Sequence, residues 1–237
     1  MVALLRVLGQ PLPVLTRKGP PQRFWRPWRA LPTEVQDAPM RSVEADAAYV
    51  EQRLLSGDYA CPVCEGELRP WGFARWRIVG RGNEFVRLHP RRSRCKACRL
   101  THVLLPVACL LRRCDLAEMI GRGLALKVAG WGYRRIAASL GIPAGTVGDR
   151  GRRFGNLAEV LRAYFTALLY FLDPSFGTVD PRANIVADAL EAIVLAAGAA
   201  ARAFGPAPLW HFASGASSGR LLANTNPSLP PAFLARR

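Results

Sequence analysis

Two pairs of cysteines constrain the fold of this 237-residue chain more than any other feature. Cys61 pairs with Cys64, and Cys95 pairs with Cys98, each with the spacing Cys-x-x-Cys. One such turn supplies two sulfur ligands to a metal ion, and Zn²⁺ prefers a tetrahedral set of four. We therefore expect the four thiolates to hold one Zn²⁺ in a zinc ribbon over residues 42–110. Short strands across the segment between the pairs would bring the two turns together.

The predicted metal site is structural, because four protein thiolates leave no coordination position for a reactive water molecule. Two neighbouring pairs in basic surroundings also argue against a redox pair of the thioredoxin type. His102 follows the second pair and could replace one thiolate. Cys109 and Cys114 lack ligand spacing, so we interpret them as ordinary, partly buried cysteines.

Positive charge is concentrated in the middle of the chain. The formal net charge is +16, and residues 61–154 hold 19 Lys and Arg against six Asp and Glu. A basic centre between nearly neutral flanks is typical of a nucleic-acid-binding protein. The arginines of the predicted ribbon strands either face solvent or contact phosphates. The scarcity of acids among them favours phosphate contact.

Residues 111–155 have the pattern of a three-helix unit. We predict its helices over 115–128, 132–140 and 143–154. Asp115 is placed as the N-cap of the first helix. Gly141 follows the second helix, where a tight turn needs a positive φ, and Pro143 suits the first turn of the third. This spacing is typical of a helix-turn-helix that binds duplex DNA, and a helical hairpin used only for packing is the alternative.

In a helix-turn-helix, the start of the third helix lies at the bases and the second helix crosses the backbone. We expect three residues near base edges: Thr146, Asp149 and Arg150. We expect four arginines at phosphates: Arg134, Arg135, Arg152 and Arg153. Glycines at 145, 148 and 151 each cost about 1 kcal/mol relative to alanine, so the third helix needs support from DNA or from neighbouring helices.

The flanking segments are assigned by composition. Residues 1–40 are basic and rich in proline, which predicts a disordered arm. The alternative is that its interleaved Arg and Trp side chains contact nucleic acid. Met40 is a second candidate for the start of the protein. A leading helix is predicted over 42–56. Residues 156–204 form a helical accessory region, whose apolar faces either pack within the chain or form a homodimer through 157–204. Residues 205–237 are expected to be mostly irregular.

No membrane span, secretory signal or catalytic centre is expected. The longest apolar run, 192–201, is about half the length that a bilayer requires. The apolar N-terminus contains Arg6 and two prolines and has no small-residue cleavage site, so we expect a cytoplasmic, nucleoid-associated protein. A two-metal nuclease needs converging carboxylates on a sheet. The carboxylates late in the chain lack strands around them, so we expect no enzyme and no small-molecule substrate. These carboxylates are Asp173, Asp180, Asp188 and Glu191.

Several short motifs together resemble a known family. They are Cys-Pro-Val-Cys at 61–64, Leu-Arg-Pro-Trp-Gly at 68–72, Arg-Cys-Lys-Ala-Cys at 94–98, Thr-His-Val-Leu-Leu-Pro at 101–106, Ile-Ala-Ala-Ser-Leu-Gly at 136–141 and Thr-Val at 146–147. The chain resembles, over about 45–155, a family of actinobacterial zinc-ribbon and helix-turn-helix proteins that is itself a domain of unknown function. That family is similar to the N-terminal DNA-binding part of insertion-sequence transposases. The resemblance implies a DNA-binding role linked to mobile elements.

These observations predict a mainly α fold with a small β zinc ribbon, followed by a three-helix helix-turn-helix unit and C-terminal accessory helices. The predicted function is that of a DNA-binding protein, either transposase-derived or resembling a transcription regulator, with double-stranded DNA as its partner and structural Zn²⁺ as its cofactor. The alternative is an interaction module whose zinc ribbon docks on a protein or RNA partner.

Overall fold

The computed structural model describes residues 40–222 and residue 229, and helices make up roughly half of the fold. The predicted combination of helices with a small β unit is confirmed. The basic N-terminal arm and most of the C-terminal tail lie outside the described residues. In chain order, the elements of the described part are β1 Met40–Val43, α1 Ala47–Ser56, β2 Leu68–Phe73, β3 Arg77–Arg81, β4 Glu84–Leu88, β5 Arg91–Cys95, β6 Thr101–Pro106, α2 Ala117–Val128, α3 Tyr133–Leu140, α4 Ala144–Leu172, α5 Ile185–Phe204 and α6 Leu209–Ala216.

The β unit consists of a four-stranded mixed sheet and a separate hairpin. The sheet has the strand order β1-β6-β5-β2, in which β1 runs parallel to β6 and the other pairs are antiparallel. The hairpin joins β3 to β4 through a turn in which Gly82 has a φ of 65°. Short strands were expected in this segment. The hairpin buries Val79 with Leu105 and Leu116, so that it packs beside the sheet.

The predicted helix over 42–56 is wrong at its start. Residues 40–43 form a strand instead, because β1 pairs with β6 and buries Val43. The helix begins at Ala47, where the carboxylate of Asp46 accepts hydrogen bonds from the Ala48 and Tyr49 amides. It ends at Gly57, whose φ of 80° places it in the left-handed region that is common after a helix.

The largest hydrophobic core lies between α4 and α5. Leu161, Phe165 and Leu168 of α4 are buried, and they belong to the same core cluster as the small residues Ala189 and Ala196 of α5. Small side chains on α5 allow the two helix backbones to approach closely. The apolar side chains that suggested a dimer interface are thus largely covered within the chain, and a homodimer through 157–204 stays a prediction.

One predicted boundary in the helical part is wrong, and the tail that was predicted to be mostly irregular contains one short helix. The helix predicted over 143–154 continues to Leu172 as the single 29-residue helix α4, because buried Phe154, Leu157 and Leu161 keep one face packed across the expected end. The segment after 205 is not irregular throughout, because α6 forms where Trp210 and Ala213 are buried. In the described part of the chain, no helix has the length and apolar character needed to cross a bilayer.

A pair of helical glycines tests the packing directly. A Cβ atom at Gly121 of α2 would lie 1.9 Å from the Trp210 ring, whereas a Cβ at Gly148 of α4 would meet no heavy atom within 4 Å. We expect Gly121→Ala to lower the free energy of unfolding by about 1–3 kcal/mol through overpacking. Gly148→Ala should raise it by about 0.5–1 kcal/mol through helix propensity. Urea unfolding of the two variants measures both changes, and equal shifts would contradict the close contact of α2 with α6.

Candidate metal centre and basic surface

Four cysteine sulfur atoms meet at one point of the β unit. The Sγ atoms of Cys61, Cys64, Cys95 and Cys98 all lie within 4.8 Å of one another. Cys64 and Cys95 are 3.4 Å apart, and Cys61 and Cys98 are 3.7 Å apart. Four sulfurs on a tetrahedron with Zn–S bonds near 2.3 Å are separated by roughly 3.8 Å. The predicted ligands therefore come together in an arrangement compatible with a metal ion.

Two similar turns place these sulfurs. In the first, the Cys61 amide donates to the Gly66 carbonyl, and Glu65 has a φ of 59°. In the second, the Cys95 amide donates to the Leu100 carbonyl, and Arg99 has a φ of 63°. In both turns the residue four positions after the first cysteine adopts the left-handed conformation, which reverses the chain behind the second cysteine.

Gly66 lies where the two turns approach most closely. A Cβ atom there would lie 2.8 Å from the Cβ of Ala97, 3.0 Å from the Sγ of Cys95 and 3.3 Å from the Sγ of Cys64. The site therefore requires glycine at this position. The close approach of the turns is fixed further by the Lys96 amide, which donates to the Glu67 carbonyl at 2.9 Å.

The four thiols differ in their ease of deprotonation. Burial raises the pKa of Cys61 to about 12, although the Val63 amide donates to its sulfur. The pKa of Cys64 is lowered to about 7, chiefly by a hydrogen bond from the Gly66 amide. Because a metal binds thiolates, coordination must displace protons from the more acidic and the less acidic cysteines alike.

His102 lies beside the cysteine quartet and is not part of it. Its Nε2 lies 3.4 Å from the Sγ of Cys61, and the cysteine quartet is complete without it. Burial lowers the pKa of His102, which favours the neutral ring. A neutral ring with its proton on Nε2 donates a hydrogen bond to the Cys61 thiolate, as outer-shell partners of metal ligands commonly do.

A buried polar network ties α1 and β1 to the first cysteine turn. Glu44 is buried and accepts hydrogen bonds from the Tyr59 hydroxyl and from Arg53. Arg41 donates to the carbonyl of Ala60, the residue before Cys61. Glu44 is paired with Arg53, which limits the desolvation cost of that carboxylate, whereas Arg41 is held by the Ala60 carbonyl and lies over the Tyr59 ring.

The sites predicted on the helices differ in exposure. Arg134 and Arg135 are exposed on α3, and Asp149 and Arg152 are exposed on α4. Arg135 lies over the Trp131 ring, and Arg152 pairs with Asp149 one turn away. Thr146 and Arg153 are half-buried.

Arg150 was predicted at base edges, and the structure places it elsewhere. It is 7% exposed and forms an ion pair with Asp115. Its position on α4 points toward α2 and the β unit, because Val147 and Phe154 on the same side of the helix are also buried. The predicted cap is wrong as well: Leu116 occupies the N-cap of α2 without a side-chain hydrogen bond, while the carboxylate of Asp115 accepts from Arg150.

The β hairpin and the helices meet at three glycines that the sequence pattern did not assign to this contact. The Gly80 amide donates to the Cys114 carbonyl, and a Cβ at Gly80 would lie 2.2 Å from Asp115. Gly82 lies against the carbonyl of Leu140. A Cβ at Gly141 would lie 1.9 Å from the Asn83 side chain. The hairpin turn therefore packs on the turn between α3 and α4.

Comparison with known proteins adds no relative to this description. No family model matches the chain, and neither the curated proteins nor the solved structures compared with it give a match. The resemblance to actinobacterial zinc-ribbon and helix-turn-helix proteins stays a prediction.

Replacing ligands tests the metal centre. We expect the purified protein to contain one metal ion per chain, and Cys95→Ser with Cys98→Ser to abolish it, because two remaining thiolates cannot close the coordination sphere. Metal content should also fall at acidic pH, where protons compete for the thiolates. Elemental analysis and circular dichroism measure the loss of metal and of β structure. Cys114→Ser is the matched control and should retain the metal; metal-free protein with a native spectrum would contradict the assignment.

Arg150 offers a test of burial against DNA contact. We expect Arg150→Gln to lower the free energy of unfolding by about 3 kcal/mol, since it leaves the carboxylate of Asp115 buried without its cation. Adding Asp115→Asn should recover part of that loss. Thermal unfolding of the single and double variants measures this coupling. A single variant that unfolds like the unmutated protein would show that Arg150 is not held by Asp115.

Proposed function

We propose that this chain is a zinc-containing protein that binds duplex DNA through α3 and the first part of α4. The observation that carries the proposal is the short, tightly packed connection between two helices that expose arginine. The connection is three residues long, and its first residue, Gly141, has a φ of 65°. Such a turn between two helices is characteristic of helix-turn-helix proteins.

The packing around this turn supports the same interpretation. Ile136, Ala137 and Leu140 of α3 form a buried cluster with Val147 of α4 and Leu126 of α2. Ala137 is the small residue at the approach of the two helices. Three helices around one small core leave the opposite sides of α3 and α4 available to a partner, as a groove-binding helix requires.

The charge on the available sides suits a polyanion. Arg134 and Arg135 on α3, with Arg152 and Arg153 on α4, are assigned to phosphates. Arg81, exposed at the end of β3, adds a cation next to the hairpin turn that packs on the α3–α4 connection. Lys and Arg side chains that neutralise phosphates supply most of the sequence-independent affinity for DNA.

Direct contacts to bases have fewer candidates. With Arg150 buried, Thr146 and Asp149 are the remaining predicted base contacts, and Asp149 already pairs with Arg152. Arginine and lysine supply the commonest specific contact to guanine. We infer that binding depends mainly on phosphates, with modest discrimination between sequences.

Zinc is the proposed metal, and its role is structural. Four thiolates are soft ligands, and a closed tetrahedral set of them is typical of structural zinc. We propose no catalytic centre. Of the late carboxylates, Asp173 pairs with Arg202 and Glu191 pairs with Arg182, which gives each a structural partner. A transposase-derived origin and a location on the nucleoid follow from the predicted resemblance and belong to this proposal.

Salt dependence tests the duplex contacts. We expect Arg134→Gln with Arg152→Gln to reduce the slope of log K against log salt by about 2, since each lost phosphate contact removes roughly 0.9. Gel shifts or anisotropy with a blunt duplex between 50 and about 200 mM salt give the slope.

The matched control removes the same charge elsewhere. Arg162→Gln with Arg202→Gln lies on the later part of α4 and on α5, where both arginines pair with carboxylates at the surface. Its slope should stay within error of the unmutated value. Equal slopes for the two double variants, or no duplex binding in dilute buffer, would refute the assignment to α3 and α4.

A further inference from the structure

Three rings form a stack on the surface of the β unit. Phe73 ends β2, Trp76 precedes β3 and His89 follows β4. The His89 ring lies 4.5 Å from the Phe73 ring, with 18° between their planes, and 4.1 Å from the Trp76 ring, with 10°. The two connections between the sheet and the hairpin thus hold three nearly parallel rings in a row, with His89 in the middle.

Arginines extend this stack. The guanidinium of Arg91 lies 4.6 Å from the centre of the Phe73 ring, and that of Arg87 lies 4.9 Å from the centre of the Trp76 ring. A separate pair has the same form, with Arg94 at 4.6 Å from the Trp71 ring. Phe85 lies two residues before Arg87 on β4 and therefore on the same face of the hairpin. We call this region the aromatic–arginine surface; its members are Trp71, Phe73, Trp76, Phe85, Arg87, His89, Arg91 and Arg94.

The aromatic side chains of this surface are unusually exposed. Trp71, Phe73 and Trp76 are 50–56% exposed, and Phe85 is 75% exposed. The core of the hairpin does not need them, because Val79 on β3 supplies its buried contact to Leu105 and Leu116. Neighbouring exposed aromatic residues of this kind mark a surface used for binding.

Charge identifies the chemistry of the partner. Between residues 69 and 94 the sequence has eight arginines and one acid, Glu84. Arg91 is held by both carboxylate oxygens of Glu51 on α1, at 2.6 and 3.0 Å, so one end of the stack is pre-organised. The partner must offer flat apolar faces together with negative charge, and unpaired nucleotides combine both.

We propose that the aromatic–arginine surface binds single-stranded nucleic acid by stacking bases on the exposed Phe85 ring and on the guanidinium of Arg87, which the Trp76 ring supports from below. A duplex keeps its base faces within its own stack, whereas unpaired bases can stack on aromatic side chains and on guanidinium planes while phosphates contact arginines. This activity goes beyond the proposed duplex binding, because it uses the β unit and none of the residues assigned on α3 and α4. The two proposals can therefore fail separately.

Equilibrium binding of labelled oligonucleotides to the full-length, metal-loaded protein tests the proposal. The probes are 15-mers of unpaired thymidine and uridine, with a blunt DNA duplex for comparison. We expect Phe85→Ala and Trp76→Ala each to raise the Kd for single strands at least about fivefold, since one stacked base contributes on the order of 1–3 kcal/mol. Trp76→Phe, which keeps a ring, should recover most of the affinity, and duplex binding should change less than about twofold.

The controls separate stacking from loss of fold or charge. Phe171→Ala removes a similarly exposed aromatic side chain from α4 and should leave single-strand binding unchanged. Arg134→Gln with Arg152→Gln should weaken duplex binding while single-strand binding persists. Metal content confirms that Phe85→Ala and Trp76→Ala are folded; Phe85→Ala removes only an exposed ring, so it keeps the test valid if Trp76→Ala loses metal.

Photocrosslinking locates the contact. A single-stranded probe that carries 5-iodouracil should crosslink to Trp76 or Phe85, as mass spectrometry of the adducts can show. Adducts confined to α3 and α4 would overturn the proposal. Unchanged single-strand affinity in Phe85→Ala and Trp76→Ala would also overturn it and would leave a protein as the partner for these rings.

Discussion

The β unit depends on the point where four sulfur atoms meet. Its hydrophobic cluster is small, with Val43, Val50, Leu54, Leu68 and Leu104 among its few large members. In units of this size, metal binding supplies folding free energy that the apolar core cannot, on the order of 10 kcal/mol in zinc-finger peptides. One divalent cation with four thiolates also has a formal charge of −2. Arg94, Lys96 and Arg99 are neighbours of the second cysteine pair in sequence, so the proposed centre would offset part of the repulsion among them.

A second constraint joins the β unit to the helices. Gly80 lies against Asp115, and Gly82 lies against the end of α3, because neither glycine has a side chain. Asp115 also forms an ion pair with Arg150 of α4. The hairpin, the start of α2 and the first part of α4 therefore share one buried contact. Substitutions at this contact should affect both halves of the described structure, because neither half has an independent surface there.

Much of the site could be predicted from the sequence, because its signals are local. The spacing Cys-x-x-Cys brings two sulfurs together through a single turn. The positive φ of Gly141 is likewise a property of one residue in one turn. The strands of the hairpin and the bounds of α3 follow from the same kind of short-range pattern. The stacked rings were visible only as aromatic residues among arginines, since their contact depends on how β2 lies relative to the hairpin.

The predictions that were wrong concern segments whose structure depends on contacts between residues far apart in sequence. Residues 40–43 form a strand only because β6 offers a partner 63 residues away in sequence. Arg150 looked like a surface residue on a helix, but it pairs with Asp115 across 35 residues of sequence. The end of α4 was placed at a glycine-rich stretch, although burial against α5 carries the helix onward. Local propensity is outweighed by tertiary packing in each case.

The continuity of α4 has a mechanical consequence. At 1.5 Å per residue, its 29 residues form a rod of roughly 43 Å. One end belongs to the surface proposed to contact duplex DNA, and the other is embedded against α5. Because α4 is one continuous helix, a tilt at one of its ends is passed on to the other end. If duplex DNA binds as proposed, it would therefore orient the whole C-terminal half, and a force on that half would reach the surface proposed to contact DNA.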